Sequence, residues 1–265
     1  MFKLGRSQFP LYTFDITGGI TRLLEDEAGQ WLLGGVSGLH RFDPATGTYT
    51  SYQDGPSSIS GNTPILESRD GTVWLGGVLD GLYAFDPQTE RFRGYHHDPA
   101  DPTSLSHDLV NALYETRDGI LWVGTWGGLN ALNPQTGRFD HYRHDPANPN
   151  SLCYDQINVI YETHAGHLWI GTPEGLSRLD RAAGIFTAYL DGTRILALHE
   201  DAQDALWIGT QGAGLYQMNG ATGALTLFTT QDGLPDLSIN GILEDHAGAL
   251  WLRTDHRITA HPPAP

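Results

Sequence analysis

The chain has 265 residues, with 15 Lys and Arg against 31 Asp and Glu, a formal charge of −16. Such an acidic balance argues against nucleic-acid binding, which needs a positive footprint, and a single cysteine, Cys153, excludes an internal disulfide or a Cys-rich metal centre. No apolar run approaches the ~20 residues of a membrane-spanning helix, and the N-terminal MFKLGRSQFPLYTFD lacks the apolar stretch of a signal peptide; the sequence as given reads as cytoplasmic or as a piece of a longer exported chain.

In chain order, the first predicted element is a strand over residues 8–15, QFPLYTFD, with no partner of its own nearby. Six similar units follow. Their cores are QWLLGGVSGLHRFDPATG from Gln30, TVWLGGVLDGLYAFDPQTE from Thr72, ILWVGTWGGLNALNPQTG from Ile120, HLWIGTPEGLSRLDRAAG from His167, ALWIGTQGAGLYQMNGATG from Ala205 and ALWLRTDHRITAH from Ala249. Aligned on their tryptophans, Trp31, Trp74, Trp122, Trp169, Trp207 and Trp251, the units lie 43, 48, 47, 38 and 44 residues apart. A period near 40–45 residues is that of one four-stranded propeller blade.

Each unit predicts four short strands. The first resembles VNALYET and ends in a recurrent glutamate: Glu25, Glu67, Glu115, Glu162, Glu200 and Glu244. The second is Leu-Trp-Ile-Gly-Thr. The third, of the type GLYAFD, runs into an Asp-Pro-x-Thr-Gly turn whose Pro presets φ and whose Gly can take positive φ. The fourth carries Phe-x-x-Tyr, as in Phe92/Tyr95, Phe139/Tyr142 and Phe186/Tyr189. Helices are excluded, because no 3.6-residue period is present and Gly or Pro interrupts every window of a dozen residues.

The second strand decides the architecture. Leu, Trp and Ile cover both of its faces, where a half-buried strand would alternate with polar residues. A strand that is apolar on both sides is sandwiched on both sides. Antiparallel four-stranded sheets stacked face to face in a ring, an all-β single β-propeller, meet that requirement, and the Gly of the strand lets a neighbouring sheet approach closely. The sixth unit ends before a fourth strand, so residues 8–15 are expected to complete it and remove an open edge. The expectation is six blades in one domain, residues 1–265.

The pattern EDxxGxLWIGTxxGLxRxDPxTGxFxxY, with the linker HYRHDPANPNSL, resembles the two-component regulator propeller repeat, over nearly the whole chain. The resemblance implies a non-catalytic, ligand-recognising sensor propeller of the kind found in hybrid histidine kinases, facing the periplasm or the exterior. It also implies a small polar or oligosaccharide ligand, and signalling domains on a longer chain. Six units, rather than the seven or fourteen of that family, depart from its plan.

Chain direction puts the loops entering each first strand, and those after the Gly-Thr pair, at one end. Starts of first strands there carry Thr21, Thr63, Asn111, Asn158 and Asn240, with Leu196 as the exception. These groups are suited to hydrogen-bonding a polar ligand. Trp126, in one of the loops after Gly-Thr, can stack on a sugar ring. No catalytic residue, metal ligand or cofactor is expected. The six glutamates are expected to accept backbone N–H groups at their own turns, and His97/Asp98 and His144/Asp145 to bond local backbone in Asp-Pro turns. An enzyme of lyase or glycosidase type would draw instead on Glu174, Asp80, Asp255 and His256. A protein-interaction scaffold is the third alternative.

Overall fold

A computed structural model describes residues 20–25, 29–35, 38–52, 54–56, 64–77 and 79–261. The predicted strand over 8–15 lies outside the described residues, as does Thr63. Six antiparallel sheets follow one another along the chain, each built from strands paired in sequence order. The first holds β1 (Ile20–Glu25), β2 (Trp31–Gly35), β3 (Gly38–Asp43) and β4 (Thr48–Ser51), and the second β5 (Ile65–Glu67), β6 (Val73–Gly76), β7 (Leu82–Asp86) and β8 (Arg91–Tyr95). The third comprises β9 (Val110–Glu115), β10 (Leu121–Thr125), β11 (Gly128–Asn133) and β12 (Arg138–Tyr142), and the fourth β13 (Val159–Glu162), β14 (Leu168–Thr172), β15 (Gly175–Asp180) and β16 (Ile185–Tyr189). The fifth contains β17 (Ile195–Glu200), β18 (Ala205–Thr210), β19 (Leu215–Asn219) and β20 (Leu225–Phe228). The sixth has three strands among the described residues, β21 (Gly241–Glu244), β22 (Leu250–Arg253) and β23 (Ile258–His261). No α-helix occurs among the described residues.

The cores lie between sheets, and the second strands of the second to fifth units each supply two of them. Side chains alternate across a strand, so the tryptophan faces one neighbour and its flanking aliphatics face the other. Trp122 packs forward against Ile160, Leu168, Ile170 and Phe186 of the fourth sheet, while Leu121 and Val123 pack back against Trp74 of the second. Trp169 packs forward against Ile195, Leu206 and Ile208 and is 4% exposed; Trp207 does the same against Leu250 and Leu252. The fourth strands extend this contact outward. Tyr142 lies 5.7 Å from the Trp122 ring and 5.8 Å from Phe186 of the next sheet. Tyr95 repeats the arrangement between Trp74 and Phe139.

Close stacking is possible because the strand carries Gly. A Cβ on Gly124 would fall 2.5 Å from Ile157 Cγ2, and one on Gly171 would fall 2.7 Å from Ile195 Cγ2. Ile157 lies just ahead of the next sheet and Ile195 begins it, while a Cβ on Gly171 would also meet Val159 Cγ1 of its own sheet at 2.6 Å. The Thr that follows is fully buried and serves its own turn. The Thr125 hydroxyl donates to the Gly128 carbonyl at 3.0 Å and accepts the Gly127 N–H at 3.0 Å.

Two expectations need correction. Trp31 is not the anchor of its sheet. It pairs with Phe42, as Leu121 pairs with Leu132, whereas Leu32 pairs with Arg41 as Trp122 pairs with Ala131. A one-residue slip moves a side chain to the opposite face. Leu32 therefore takes the forward, buried place against Val73, Leu75 and Phe85, and Trp31 is 37% exposed on the other face. Three of the glutamates, too, bond outside their own turns. Glu115 accepts the N–H of Arg69 at 3.0 Å and Glu162 that of Arg117 at 2.8 Å, each in the preceding sheet's turn. Glu200 accepts from His164 N–H in the same way. The N–H groups of a sheet's own turn are taken by the residue after the glutamate where that is Asp. Asp201 accepts from Gln203 and Ala205, and Asp245 from Ala247 and Ala249. The same two aspartates also accept the indole N–H of Trp207 and Trp251, each at 2.7 Å.

Candidate functional site

At the end of the sheets where the first strands begin, a cavity of about 530 Å³ is lined by Asn111, Trp126, Gln156, Asn158, Arg194, Leu196, Asn240 and Arg253. Four of the six residues singled out from the sequence thus meet at one place: Asn111, Asn158, Asn240 and Trp126. Thr21 lies within β1, and Thr63 falls outside the described residues.

The asparagines are held by the sheet that follows. Asn111 Nδ2 donates to the Ile157 carbonyl at 3.2 Å, and Asn158 Nδ2 to the Ile195 carbonyl at 2.9 Å. Each bond fixes the amide at the start of its strand and ties two sheets together at the cavity wall. Asn240 Nδ2 donates to Asp255 Oδ1 at 2.5 Å. These side chains therefore do structural work, while each amide keeps hydrogen-bonding capacity beyond the one bond.

Two cationic residues escaped the sequence reading. Arg194 immediately precedes β17 and is exposed. Arg253 occupies the place where the Leu-Trp-Ile-Gly strand carries Gly209 in the fifth unit, and its Nη2 lies 3.4 Å from the Asn240 carbonyl. The substitution is visible as ALWLRT against ALWIGT. Among the described lining residues there is no carboxylate and no imidazole, although the Asp255 carboxylate bonds the lining Asn240.

Trp126 is 50% exposed, and it also borders a second cavity of about 370 Å³ with His144, Tyr154, Asp155 and Gln156. Tyr154, 43% exposed, was not anticipated either. The two cavities share Trp126 and Gln156, so two aromatic faces stand beside a polar hollow.

The residues expected for an enzyme are elsewhere or engaged. Glu174, Asp80 and His256 do not line the cavity, and Asp255 is bonded to Asn240. The paired His-Asp loops behave as backbone turns. His97 Nδ1 bonds the Leu105 carbonyl at 2.8 Å and His144 Nδ1 the Leu152 carbonyl at 2.7 Å. Asp98 and Asp145 accept N–H groups two residues on, from Ala100 and Ala147.

Consecutive antiparallel sheets stacked through tryptophan-bearing second strands make this a repeat protein of the β-propeller type. Three of its segments, residues 104–127, 151–174 and 189–212, match the two component regulator propeller, in line with the resemblance of the repeat pattern. The extracellular domain of BT4673 from B. thetaiotaomicron, named for a one component system, shares the fold with a TM-score of 0.75 at 22% identity. That match covers 94% of this chain and 33% of the other. PorZ of Porphyromonas gingivalis, a bacterial surface component of the type-IX secretion system, matches with a TM-score of 0.68 at 18% identity over 92% of this chain and 39% of its own. A virginiamycin B lyase structure from Staphylococcus aureus with quinupristin matches with a TM-score of 0.69 at 16% identity, over 95% of this chain and 87% of the lyase. The chain thus spans about a third of the BT4673 structure. No curated protein sequence matches it.

Proposed function

We propose that the chain is the ligand-recognition propeller of a sensory protein, acting outside the cytoplasm and passing its signal to domains on a longer chain. In this reading residues 1–265 form one six-bladed ring, and residues 8–15 supply the fourth strand of the last blade. The ligand is a small polar molecule or oligosaccharide carrying negative charge. It rests against Asn111, Asn158, Asn240 and Trp126, with Thr21 and Thr63 contributed by the first two blades, and it leaves chemically unchanged.

The observation that carries this reading is the composition of the 530 Å³ cavity. Single residues from several sheets converge there with two guanidinium groups and a half-exposed indole. Arginine suits planar anions such as carboxylate or sulfate, which it grips in a fork. Tryptophan suits the apolar face of a sugar ring. A second reading, a lyase, is favoured by the near full-length overlap with virginiamycin B lyase. It requires an acid or base at the cavity; the described lining holds none, and Asp255, beside it, is bonded to Asn240.

A thermal-shift screen with neutral and acidic oligosaccharides tests the proposal. A ligand at 100 times its Kd adds about 2.7 kcal/mol of stability. Acidic hits that weaken on Arg194→Ala support the reading. Hits that survive Trp126→Ala and Asn158→Ala without loss place the site elsewhere, and cleaved sugar in the incubation favours the enzyme.

A further inference from the structure

At the opposite end of the sheets, the junctions between neighbours repeat one device. A turn residue in one sheet gives its N–H to the glutamate of the next, and where that turn residue is arginine its guanidinium reaches across as well. Arg69 donates to the Arg117 carbonyl at 2.6 Å and the Thr116 carbonyl at 3.2 Å. Arg117 donates to the His164 carbonyl at 2.9 Å and the Thr163 carbonyl, and lies 3.4 Å from Glu162 Oε2. Two successive junctions are therefore bridged by a cation.

The junction between the fourth and fifth sheets differs at two positions together. His164 stands where the two preceding turns have Arg69 and Arg117; the fifth turn has Ala202 at that position. Asp204 stands where the other turns have Gly71, Gly119 and Gly166, and it keeps the left-handed backbone of those glycines, with φ of 60° against their 82°. An aspartate costs more there than glycine, yet its side chain meets the imidazole. His164 Nδ1 lies 3.1 Å from Glu200 Oε2 and 3.3 Å from Asp204 Oδ1. One ligand atom from each of the three residues falls within 4.8 Å of the others. The Glu200 side chain is 4% exposed, and the group opens onto a cavity of about 720 Å³ that also contains His167 and Gln203.

We infer that His164, Glu200 and Asp204 form a divalent transition-metal site in the place that a bridging arginine takes at the two preceding junctions. One imidazole with two carboxylates is a donor set for zinc and its neighbours. Bonds of about 2.0–2.1 Å at tetrahedral angles separate donor atoms by roughly 3.3 Å, which the two measured separations match. Two carboxylates neutralise a dication, as the neighbouring glutamate balances the guanidinium of Arg117. A water from the open cavity takes the fourth position. The metal belongs to the inter-sheet contact, at the end remote from the ligand cavity, and departs from the expectation that the chain holds none.

Titration of the chelator-treated chain with zinc chloride, followed by melting temperature and calorimetry, tests the site, with cobalt chloride as a spectroscopic probe. The expected result is one equivalent of zinc bound with a rise in melting temperature, and visible d–d bands from cobalt. His164→Arg installs the residue of the two preceding junctions, Arg69 and Arg117, and Asp204→Gly the glycine of the neighbouring turns, so both variants keep a residue that this fold already accommodates. Each should weaken zinc by more than about tenfold, since even residues that merely support a ligand contribute that much. No stoichiometric zinc binding by the unaltered chain overturns the inference. So does binding that persists undiminished in both variants, which would assign it to other histidines among the 12.

Discussion

Glu162 accepts the backbone N–H of Arg117 at 2.8 Å across 45 residues of sequence, and so joins the first strand of one sheet to the turn of the sheet before it. The carboxylate is 6% exposed, and the Arg117 guanidinium lies 3.4 Å away. A hydrogen bond to a charged group contributes about 1.5–3 kcal/mol. Glu162→Ala should therefore destabilise by roughly 3 kcal/mol in urea unfolding. Glu162→Gln keeps an acceptor for the N–H and should lose only about 1 kcal/mol. Equal losses for the two would mean that the backbone bond is not what matters.

The inverted placement of Trp31 makes a paired prediction. Trp169→Ala opens a cavity between the fourth and fifth sheets and should cost roughly 3–5 kcal/mol. Trp31→Ala should cost less than half as much, since the side chain is 37% exposed and Leu32 holds the buried place. Equal unfolding midpoints for the two variants would contradict the register assigned to β2.

Acid should weaken the chain through turns led by an aspartate that accepts a nearby threonine hydroxyl or backbone N–H. The Asp86 carboxylate accepts the Thr89 hydroxyl and the Gln88 N–H, which hold its pKa below the usual carboxylate range. Asp43 is lowered mainly by the Ala45 N–H, and Asp101 mainly by the Thr103 hydroxyl. A folded pKa below the unfolded one gives stability that is complete above the unfolded value and is lost as pH falls through the folded one. The melting temperature should hold down to about pH 5 and fall progressively below about pH 4. Asp86→Asn should remove that residue's share of the acid sensitivity and keep the turn. Asn133 and Asn219 already accept the same N–H groups in the third and fifth repeats.

Ring closure has its own test. Trp251 points away from the fifth sheet and is 42% exposed, and Leu243 and Ile258 of the same sheet are exposed as well. The proposed fourth strand from residues 8–15 would pair with β23 and shield part of that surface. Removing residues 1–15 should lower the melting temperature or cause aggregation through the bared edge. A truncated chain that melts like the full one would show that those residues do not complete the blade.

Much of the fold is legible because the repeat presents its signals over and over. The two-sided apolar strand announces stacking, and its Gly announces close approach, which Gly124 against Ile157 makes concrete. Trp31 misled because tryptophan is a louder marker than register. Gly34, which pairs with Leu39 as Gly124 pairs with Leu129, fixes the alignment better. The targets of the glutamates were hidden because the partner lies about one repeat away, beyond any local pattern. At the cavity, Asn111, Asn158 and Asn240 stood out by recurring. Arg194 and Arg253 did not recur, and a repeat reading is blind to residues that occur once.

The proposed ligand cavity is tested most directly through Trp126, the one tryptophan among its described lining residues. Tryptophan emission can be followed while an acidic oligosaccharide from the thermal-shift screen is titrated into the protein. The account predicts a saturable spectral change that disappears in Trp126→Phe, with affinity lowered by about tenfold in Arg194→Ala, the equivalent of about 1.4 kcal/mol. A saturable change of undiminished size in Trp126→Phe, or an affinity indifferent to Arg194→Ala, would contradict it.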